Sequence, residues 1–313
     1  MERIKRVLTR FAAADCSDDV VQSFEQLLLL LDLDFCDEGG LAGLSSRARA
    51  AAVSDRVLAE LPADTCHKQR RLFQTLVDKA AEPWYAQPDD ARVARPFRVV
   101  VVGAGPVGLR TAIELSLVGC NVTLIERRSL GSFEERPNII NLWKWTQLDL
   151  DNLGVPNDFT RDGHIGTKDL QLGLLRAALL LGVRLLPATE YQSVVPSGGA
   201  AASADPGSPS TERGRYPCPY RAECTHKDTF GDVIDMALPL DLLVGADGAT
   251  GSLGRKFGFG REHRQTVRVE GRRGDGNGGV VGNGGDARSV RQWGSGAVGG
   301  PEVLSAGCGV WYW

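Results

Sequence analysis

Hydrophobic residues recur at helical spacing through the first 85 positions. Behind Ser17, a candidate N-cap followed by two aspartates, the apolar positions fall on one stripe: Val20, Val21, Phe24, Leu27, Leu28 and Leu31. Two further stretches, about 41–61 and 67–81, have the same period. Prolines at positions 83, 88 and 96 then interrupt the pattern. The pattern predicts a helical lead-in over residues 1–85 and a linker over 86–97.

The pattern changes after the linker to alternating strands and helices. Val99–Val102 is an uninterrupted β-branched run, typical of a strand buried on both faces of a parallel sheet. A helix from about 106 to 118 ends at Gly119, and a second strand follows at 122–125. A later helix over 168–181 leads into a strand at 183–186. These elements predict an α/β domain over residues 98–260.

The last part of the chain contains two segments without such periodicity. Residues 196–219 are rich in Pro, Gly, Ser and Ala, which predicts a flexible insert. Alternating residues over 220–225 and 233–238 predict a β-hairpin, and 242–244 a return to the sheet. Residues 261–313 are rich in glycine and arginine, and we expect a disordered tail there.

Composition and charge exclude several classes of protein. A net charge of -3 lacks the basic excess that is typical of nucleic-acid binders. The longest apolar runs are well under the ~18 residues of a membrane span, and no secretory signal begins the chain. The seven cysteines form no Cys-x-x-Cys pair, so neither zinc nor a disulfide framework is predicted. We therefore expect a cytoplasmic protein that binds neither membrane nor nucleic acid and holds no metal.

The strongest candidate for chemistry is the glycine motif at the end of the first strand. Gly103 would permit the tight turn, Gly105 the close approach of a pyrophosphate, and Gly108 the packing of helix on strand. Pro106 and Val107 begin the helix, whose N-terminal N–H groups favour an anion. The motif predicts a dinucleotide site.

An acidic residue follows the motif at the distance expected for ribose recognition. Glu126 ends the second strand and is placed to accept hydrogen bonds from a ribose 2′-hydroxyl. Arg127 and Arg128 come next, and arginines here are also able to hold the 2′-phosphate of NADP. These residues alone leave the identity of the dinucleotide open.

A second motif favours FAD over the other dinucleotides. Residues 241–255, with Asp247 and Gly248 directly after an apolar strand, resemble the Asp-Gly signature of the class A flavoprotein hydroxylases. The resemblance implies that this turn lies near FAD and contributes to contact with the pyridine nucleotide.

Residues 95–190 resemble the monooxygenase domain of the MICAL flavoproteins. The matching stretches are 108–115, 126–128, 133–136 with 138, 142–143, 164–165, 170–171 and 178–183. The resemblance implies a Rossmann-like FAD-binding domain of the glutathione-reductase type, with a parallel sheet and a β-hairpin. It also implies that Arg127, Arg136 and Asn138 line the FAD adenosine and ring region, with Gln171 near the flavin side.

The sequence departs from that family in two places. Asn141 stands where the family has a histidine before Leu-Trp. The family also has a later Gly-Asp motif and a substrate-covering sheet. The Gly-Asp pairs at 231, 274 and 285 lie in the wrong context to supply that motif. We therefore expect a chain that is truncated, or whose sequence is misread, after about residue 260.

The resemblance implies an FAD-dependent monooxygenase with NADPH as reductant and O2 as co-substrate. The oxygen would be inserted into a protein methionine, as in actin, or into a small aromatic. No catalytic acid, base or nucleophile is nominated. Two alternatives stay open: a non-catalytic FAD- or nucleotide-binding scaffold, and an NAD-dependent dehydrogenase.

Overall fold

The structure is a computed structural model. It describes residues 2–33, 46–60, 67–85, 96–135, 138–155, 163–197, 220–248, 251, 253–258 and 310–312. Most of the predicted linker, nearly all of the predicted insert and residues 259–309 lie outside the described residues.

Four helices make up the described part of the lead-in. They are α1 (Glu2–Ala13), α2 (Ser17–Leu30), α3 (Ser46–Glu60) and α4 (His67–Ala80). The helix α1 lies within the predicted lead-in, although no individual helix was predicted there; its buried face carries Val7, Leu8 and Phe11. It packs on α2, with the rings of Phe11 and Phe24 5.8 Å apart. The other three helices agree with the sequence prediction.

A parallel sheet forms the centre of the following domain. Its strands are β1 (Arg98–Val102), β2 (Asn121–Ile125), β5 (Arg184–Leu186), β9 (Leu242–Gly245) and β10 (Val310–Tyr312). They lie in the order β10-β9-β1-β2-β5, and every neighbouring pair is parallel. The predicted α/β fold class is therefore confirmed. The strand at 310–312 differs from the disordered tail expected over 261–313, because these backbone groups pair with β9.

The two faces of this sheet are covered by different layers, which is why β1 reads as a continuous apolar run. Val99 and Val101 pack among the helices of one layer, which include α5 (Pro106–Leu117) and α7 (Thr167–Leu180). Val100 and Val102 pack against a three-stranded antiparallel sheet on the opposite face. Side chains alternate along a strand, so both sets must be apolar.

The antiparallel sheet contains the predicted hairpin and one additional strand. The hairpin consists of β7 (Tyr220–Lys227) and β8 (Val233–Leu240), and β6 (Thr189–Pro196) pairs with β7. The sequence prediction missed β6 because its partner is distant in the chain. Pro196, assigned to the flexible insert, is the last residue of this strand.

Short elements connect β2 to α7 and end the domain. They are a 3-10 helix (Leu130–Glu135), β3 (Ile139–Asn141), α6 (Lys144–Asp151), β4 (His164–Gly166) and the terminal α8 (Leu253–Lys256). Trp143 and Trp145 are 75% and 70% exposed. Among the described residues, no helix is both long and apolar enough to cross a bilayer.

Candidate functional site

The glycine loop between β1 and α5 has the geometry that its sequence predicts. Gly103 has φ +105°, and a Cβ there would collide with the Ala246 carbonyl. A Cβ on Gly108 would collide with the carbonyl of Gly103, so helix and strand pack too closely for a side chain. By contrast, a Cβ on Gly105 would meet no atom within 4 Å. Space is therefore left open at the middle glycine.

The N-terminus of α5 opens beside Gly105. Gly105 is the N-cap residue and offers no side-chain hydrogen bond, and Pro106 occupies the first turn. The first N–H groups of a helix have no intrahelical partner, and the helix dipole makes this end positive. The end of α5 can therefore receive an anion such as a pyrophosphate.

Glu126 is buried at the end of β2 and faces the glycine loop. Its Oε2 accepts the backbone N–H of Ala104 at 3.0 Å. Its Oε1 accepts the backbone N–H and the Nε–H of Arg128 at 3.1 and 2.9 Å. Burial alone would raise the pKa of this carboxyl, but the hydrogen bonds from Arg128 and Ala104 outweigh it and lower the pKa. Glu126 is therefore an anion at neutral pH.

Gln171 reaches the same loop from α7 on its other side. The side chain is 1% exposed, and Nε2 donates to the Ala104 carbonyl at 2.8 Å. Ala104 is thus held at its N–H by Glu126 and at its carbonyl by Gln171. The buried Oε1 of Gln171 has no hydrogen-bond partner among the described residues.

Asp247 and Gly248 lie next to the glycine loop at the end of β9. The N–H of Ala246 donates to the Val102 carbonyl at 2.8 Å, which joins the two strand ends. Oδ2 of Asp247 accepts the N–H of Leu253 at 2.9 Å, at the start of α8. Oδ1 of Asp247 is buried and has no partner within the described part of the chain. Gly248 has φ +81°, which suits glycine at this turn.

The glycine loop, Glu126 and the turn at Asp247 and Gly248 line one cavity of about 420 Å³ at the carboxyl end of the sheet. Nine predicted site residues face it: Gly103, Gly105, Pro106, Val107, Glu126, Arg127, Arg128, Asp247 and Gly248. This end of an α/β sheet is where such folds bind ligands.

The sequence prediction missed one wall of the cavity. That wall contains Thr189, Glu190 and Tyr191 from β6, together with Gly251 and Arg255. Burial raises the pKa of Tyr191 to about 12. Arg255 lies within the stretch 241–255 that resembles the hydroxylase signature, and this resemblance is the signal that could have indicated its place at the site. The β6 residues have no motif of their own.

Three other predicted residues do not line the cavity, and a fourth is not among the described residues. Gly108 packs beneath the loop, and Gln171 lies behind it, so each supports the cavity without lining it. Asn138 is exposed and does not line the cavity; its carbonyl accepts the N–H and hydroxyl of Thr167 at 2.9 Å. Arg136 lies outside the described residues.

The residues present fit a dinucleotide. Open space at Gly105 and an uncapped helix end suit a pyrophosphate, while the Glu126 carboxylate suits a ribose hydroxyl. Asp247 lines the same cavity, with its unpartnered Oδ1 buried beside it.

Comparison with known proteins identifies the class of this domain. Residues 96–176 match the family described as FAD binding domain. This segment contains the glycine loop, Glu126 and Gln171. The chain is by this likeness related to FAD-dependent oxidoreductases.

Within that class, the chain is similar to the MICAL monooxygenases. It is 41% identical over 139 residues to the zebrafish (Danio rerio) [F-actin]-monooxygenase mical1, covering 42% of this chain and 11% of that protein. It is 34% identical over 180 residues to human MICAL1, covering 56% of this chain and 15% of the relative. Zebrafish mical3a, named a protein-methionine sulfoxide oxidase, is 31% identical over 191 residues, which are 59% of this chain and 8% of that protein. The predicted relationship to the MICAL-type monooxygenase domain is confirmed, and the chain spans less than a fifth of each of these relatives.

Among solved structures, CabE and AlpK are similar to part of this chain. The aromatic hydroxylase CabE from angucycline biosynthesis has a TM-score of 0.36 at 18% identity, covering 52% of this chain and 33% of that one. AlpK has a TM-score of 0.35 at 22% identity, covering 51% of this chain and 33% of AlpK.

Proposed function

We propose that the cavity at the glycine loop binds FAD, with its pyrophosphate at the N-terminus of α5 and its adenosine ribose on Glu126. The observation that carries this proposal is that Gly105, the uncapped helix end and Glu126 line the same cavity. The match of residues 96–176 to an FAD binding domain supports the choice among dinucleotides.

The residues of this chain would bind and orient the cofactor. Glu126 accepts ribose hydroxyls, and Gln171 keeps the Ala104 carbonyl turned away from the pyrophosphate. Arg127 and Asp247 contribute from the cavity walls. By the family resemblance, Arg136 contributes to the adenosine and ring region; Asn138, predicted for the same region, does not line the cavity. Bound FAD supplies the redox chemistry of a monooxygenase, with NADPH as electron donor and O2 as oxidant.

The substrate proposal follows the names of the relatives. Human MICAL1 is named an [F-actin]-monooxygenase, and zebrafish mical3a a protein-methionine sulfoxide oxidase. A protein methionine, as in actin, is therefore the proposed substrate, in the cytoplasm. A small aromatic is the alternative, because residues 241–255 resemble the hydroxylase signature.

Flavin content tests cofactor binding directly. The purified protein is expected to show the visible absorbance bands of flavin, or to acquire them when FAD is added and excess is removed. A protein that stays colourless in both preparations contradicts the proposal. Oxidation of NADPH by the flavin-loaded protein, followed by its absorbance, then tests the monooxygenase function.

Two other functions predict different results in the same assays. A non-catalytic scaffold would bind FAD without NADPH oxidation, with or without actin. An NAD-dependent dehydrogenase would bind NAD and not FAD, which a competitive titration of the two dinucleotides would detect.

A further inference from the structure

A second cavity lies behind α7, on the side away from the glycine loop. Its volume is about 460 Å³, and its walls come from the end of α1, from β3 and β4, and from α7. Among the described residues, the two cavities share no lining residue. With about 3.6 residues per helical turn, Asp169, Gly173 and Arg176 lie on the face of α7 opposite to Gln171. A ligand bound at the glycine loop therefore leaves this second cavity open.

The second cavity is lined by a buried cation that has no anionic partner. Arg176 is 7% exposed, and its Nε and Nη2 donate to the carbonyls of Phe11 and Ala14. Its Nη1 makes no hydrogen bond, and its guanidinium no ion pair, with the residues that the structure describes. Burial lowers the pKa of this guanidinium, and the Asp169 carboxylate only partly offsets the effect. Nη1 therefore has donor capacity left for a ligand.

Two carboxylates line the same cavity. Asp169 is in the first turn of α7, and Asp15 follows the end of α1. Neither carboxylate accepts a hydrogen bond from the part of the chain that the structure describes. Side chains of a helix lean toward its N-terminus, so Arg176 reaches back toward Asp169, which is seven positions earlier. The cavity thus holds one cation and two anions that are not paired with each other.

These charges disfavour a simple ion as the ligand. An anion at Arg176 would be repelled by the two carboxylates, and a cation at the carboxylates would be repelled by Arg176. A ligand with one charge of each sign is attracted at both ends. The wall also contains the buried side chains of Ile165 and Leu172, which suit an apolar group. The cavity therefore fits a small zwitterion with an apolar body.

We propose that this cavity binds a free α-amino acid with an apolar side chain. Its carboxylate accepts from Nη1 of Arg176, and its ammonium donates to Asp169 and Asp15. Its side chain packs on Ile165 and Leu172. A volume of about 460 Å³ suffices, since small-molecule sites have roughly 300 to 1,000 Å³. This site is independent of the proposed FAD site.

The test is a calorimetric titration of the full chain with three probes that share one apolar group. They are L-leucine, 4-methylpentanoate, which lacks the ammonium, and 3-methylbutylamine, which lacks the carboxylate. Leucine should bind at least about tenfold more tightly than either analogue, because each analogue loses a charge-assisted interaction and keeps a repulsion. Absence of leucine binding overturns the proposal, and so does an analogue that binds as tightly as leucine.

A substitution at Asp169 tests the orientation of the ligand. Asp169→Asn should weaken leucine binding by about tenfold, because the ammonium loses an anionic partner. The same variant should bind 4-methylpentanoate no more weakly than the wild type, because a repulsive charge is removed. Asp235→Asn, on the exposed part of β8, is the matched control and should change neither affinity. An Asp169→Asn variant that weakens both ligands equally, or neither, overturns the proposal.

Two further arrangements keep the test decisive. Arg176 itself stays unchanged, because it also holds the end of α1. Should Asp169→Asn fail to fold, the three probes on the wild type decide alone. Leucine should bind equally with and without FAD, and competition between them overturns the assignment to a separate cavity. A protein that binds leucine but no FAD contradicts only the proposed function.

Discussion

Gly105 and Gly108 stand three residues apart, and the structure gives them different roles. A side chain at Gly105 would enter open space, with backbone angles of φ -71° and ψ 175° that any residue adopts. A side chain at Gly108 would collide with the backbone of Gly103. One glycine therefore keeps room for a ligand, and the other allows the fold to form.

Paired substitutions at these glycines separate binding from folding. Gly105→Val should abolish FAD binding, because the branched side chain takes the space for the pyrophosphate, and should leave the urea unfolding midpoint close to that of the wild type. Gly108→Val should lose FAD binding and should also have a lower urea unfolding midpoint. Flavin absorbance and urea unfolding measure the two effects. Normal flavin content in Gly105→Val would refute the placement of the cofactor.

The lowered pKa of Glu126 predicts a pH-dependent contribution to stability. Because the pKa in the folded protein lies below the ordinary value of 4.5, the contribution is complete above that value. It is lost as the pH falls through the lower, folded pKa. The difference in unfolding free energy between the wild type and Glu126→Gln should therefore narrow in acid. A difference that stays constant from neutral pH into acid would contradict this assignment.

At the scale of elements, a series of hydrogen-bonded side chains joins the helical lead-in to α5. The hydroxyl of Tyr85, just after α4, donates to Oε1 of Glu114 on α5 at 2.7 Å. Arg110 of α5 donates to Glu114 at 2.8 Å and, through two nitrogens, to Asp149 of α6 at 2.8 and 3.0 Å. The helix that presents its N-terminus to the cavity is thus held at one side by two neighbouring elements.

Removal of the Tyr85 hydroxyl tests this connection. Tyr85→Phe keeps the ring packed and should lower the free energy of unfolding by about 1 kcal/mol, the net worth of one hydrogen bond. In a double-mutant cycle with Glu114→Gln, measured by urea unfolding, the two changes should not be additive. Additive effects would show that the hydroxyl and the carboxylate do not interact.

A second connection between elements depends on a buried arginine. Arg176 of α7 is 7% exposed, and its guanidinium donates to the carbonyls of Phe11, at 2.9 Å, and Ala14. These carbonyls lie at the C-terminal end of α1, where a helix has unpaired acceptors and a negative dipole end. Arg176 therefore attaches the first helix to the FAD-binding domain.

Substitution of Arg176 should destabilise the protein strongly, and substitution of an exposed arginine provides the control. Arg176→Met leaves two acceptors without this donor and should lower the free energy of unfolding by roughly 2 kcal/mol or more. Arg10→Met breaks the exposed ion pair with Asp19 and should change the free energy of unfolding by no more than about 0.5 kcal/mol. Urea unfolding measures both. Equal effects in the two variants would refute the role given to Arg176.

At the scale of the molecule, the proposed ligand would bridge parts of the fold that are distant in sequence. The cavity walls come from the β1–α5 loop, the end of β2, the start of β6 and the segment after β9. A ligand held by all of them binds only when they are assembled, so its binding energy adds to the stability of the folded state.

This assembly predicts stabilisation by FAD. At a free FAD concentration of one hundred times the dissociation constant, the folded state should gain about 2.7 kcal/mol. Thermal unfolding followed by circular dichroism should show a higher midpoint for the wild type and no change for Gly105→Val. An equal shift in both proteins would indicate that FAD binds elsewhere.

By itself, the sequence determined the glycine loop, the first strands and helices, and the partners Glu126 and Asp247. These features follow from local requirements: backbone angles that favour glycine, the periodicity of apolar residues, and the spacing in sequence between the glycine motif and the end of the next strand. The same local signals did not give the bounds of α1, and they missed β6. For β6 the reason is that its pairing with β7 depends on residues up to 37 positions apart.

Only the tertiary structure decided how the candidate site is completed. The hold of Gln171 on Ala104 joins residues 67 apart, and no local pattern encodes such a contact. The wall formed by Thr189, Glu190 and Tyr191 exists because the antiparallel sheet covers one face of the parallel sheet. The sequence left open whether Arg128 binds a ligand phosphate, whereas in the folded protein Arg128 donates hydrogen bonds to the buried Glu126. Burial decides this ion pair, because a carboxylate inside the fold needs hydrogen-bond donors, and the order of residues alone does not show which donors reach it.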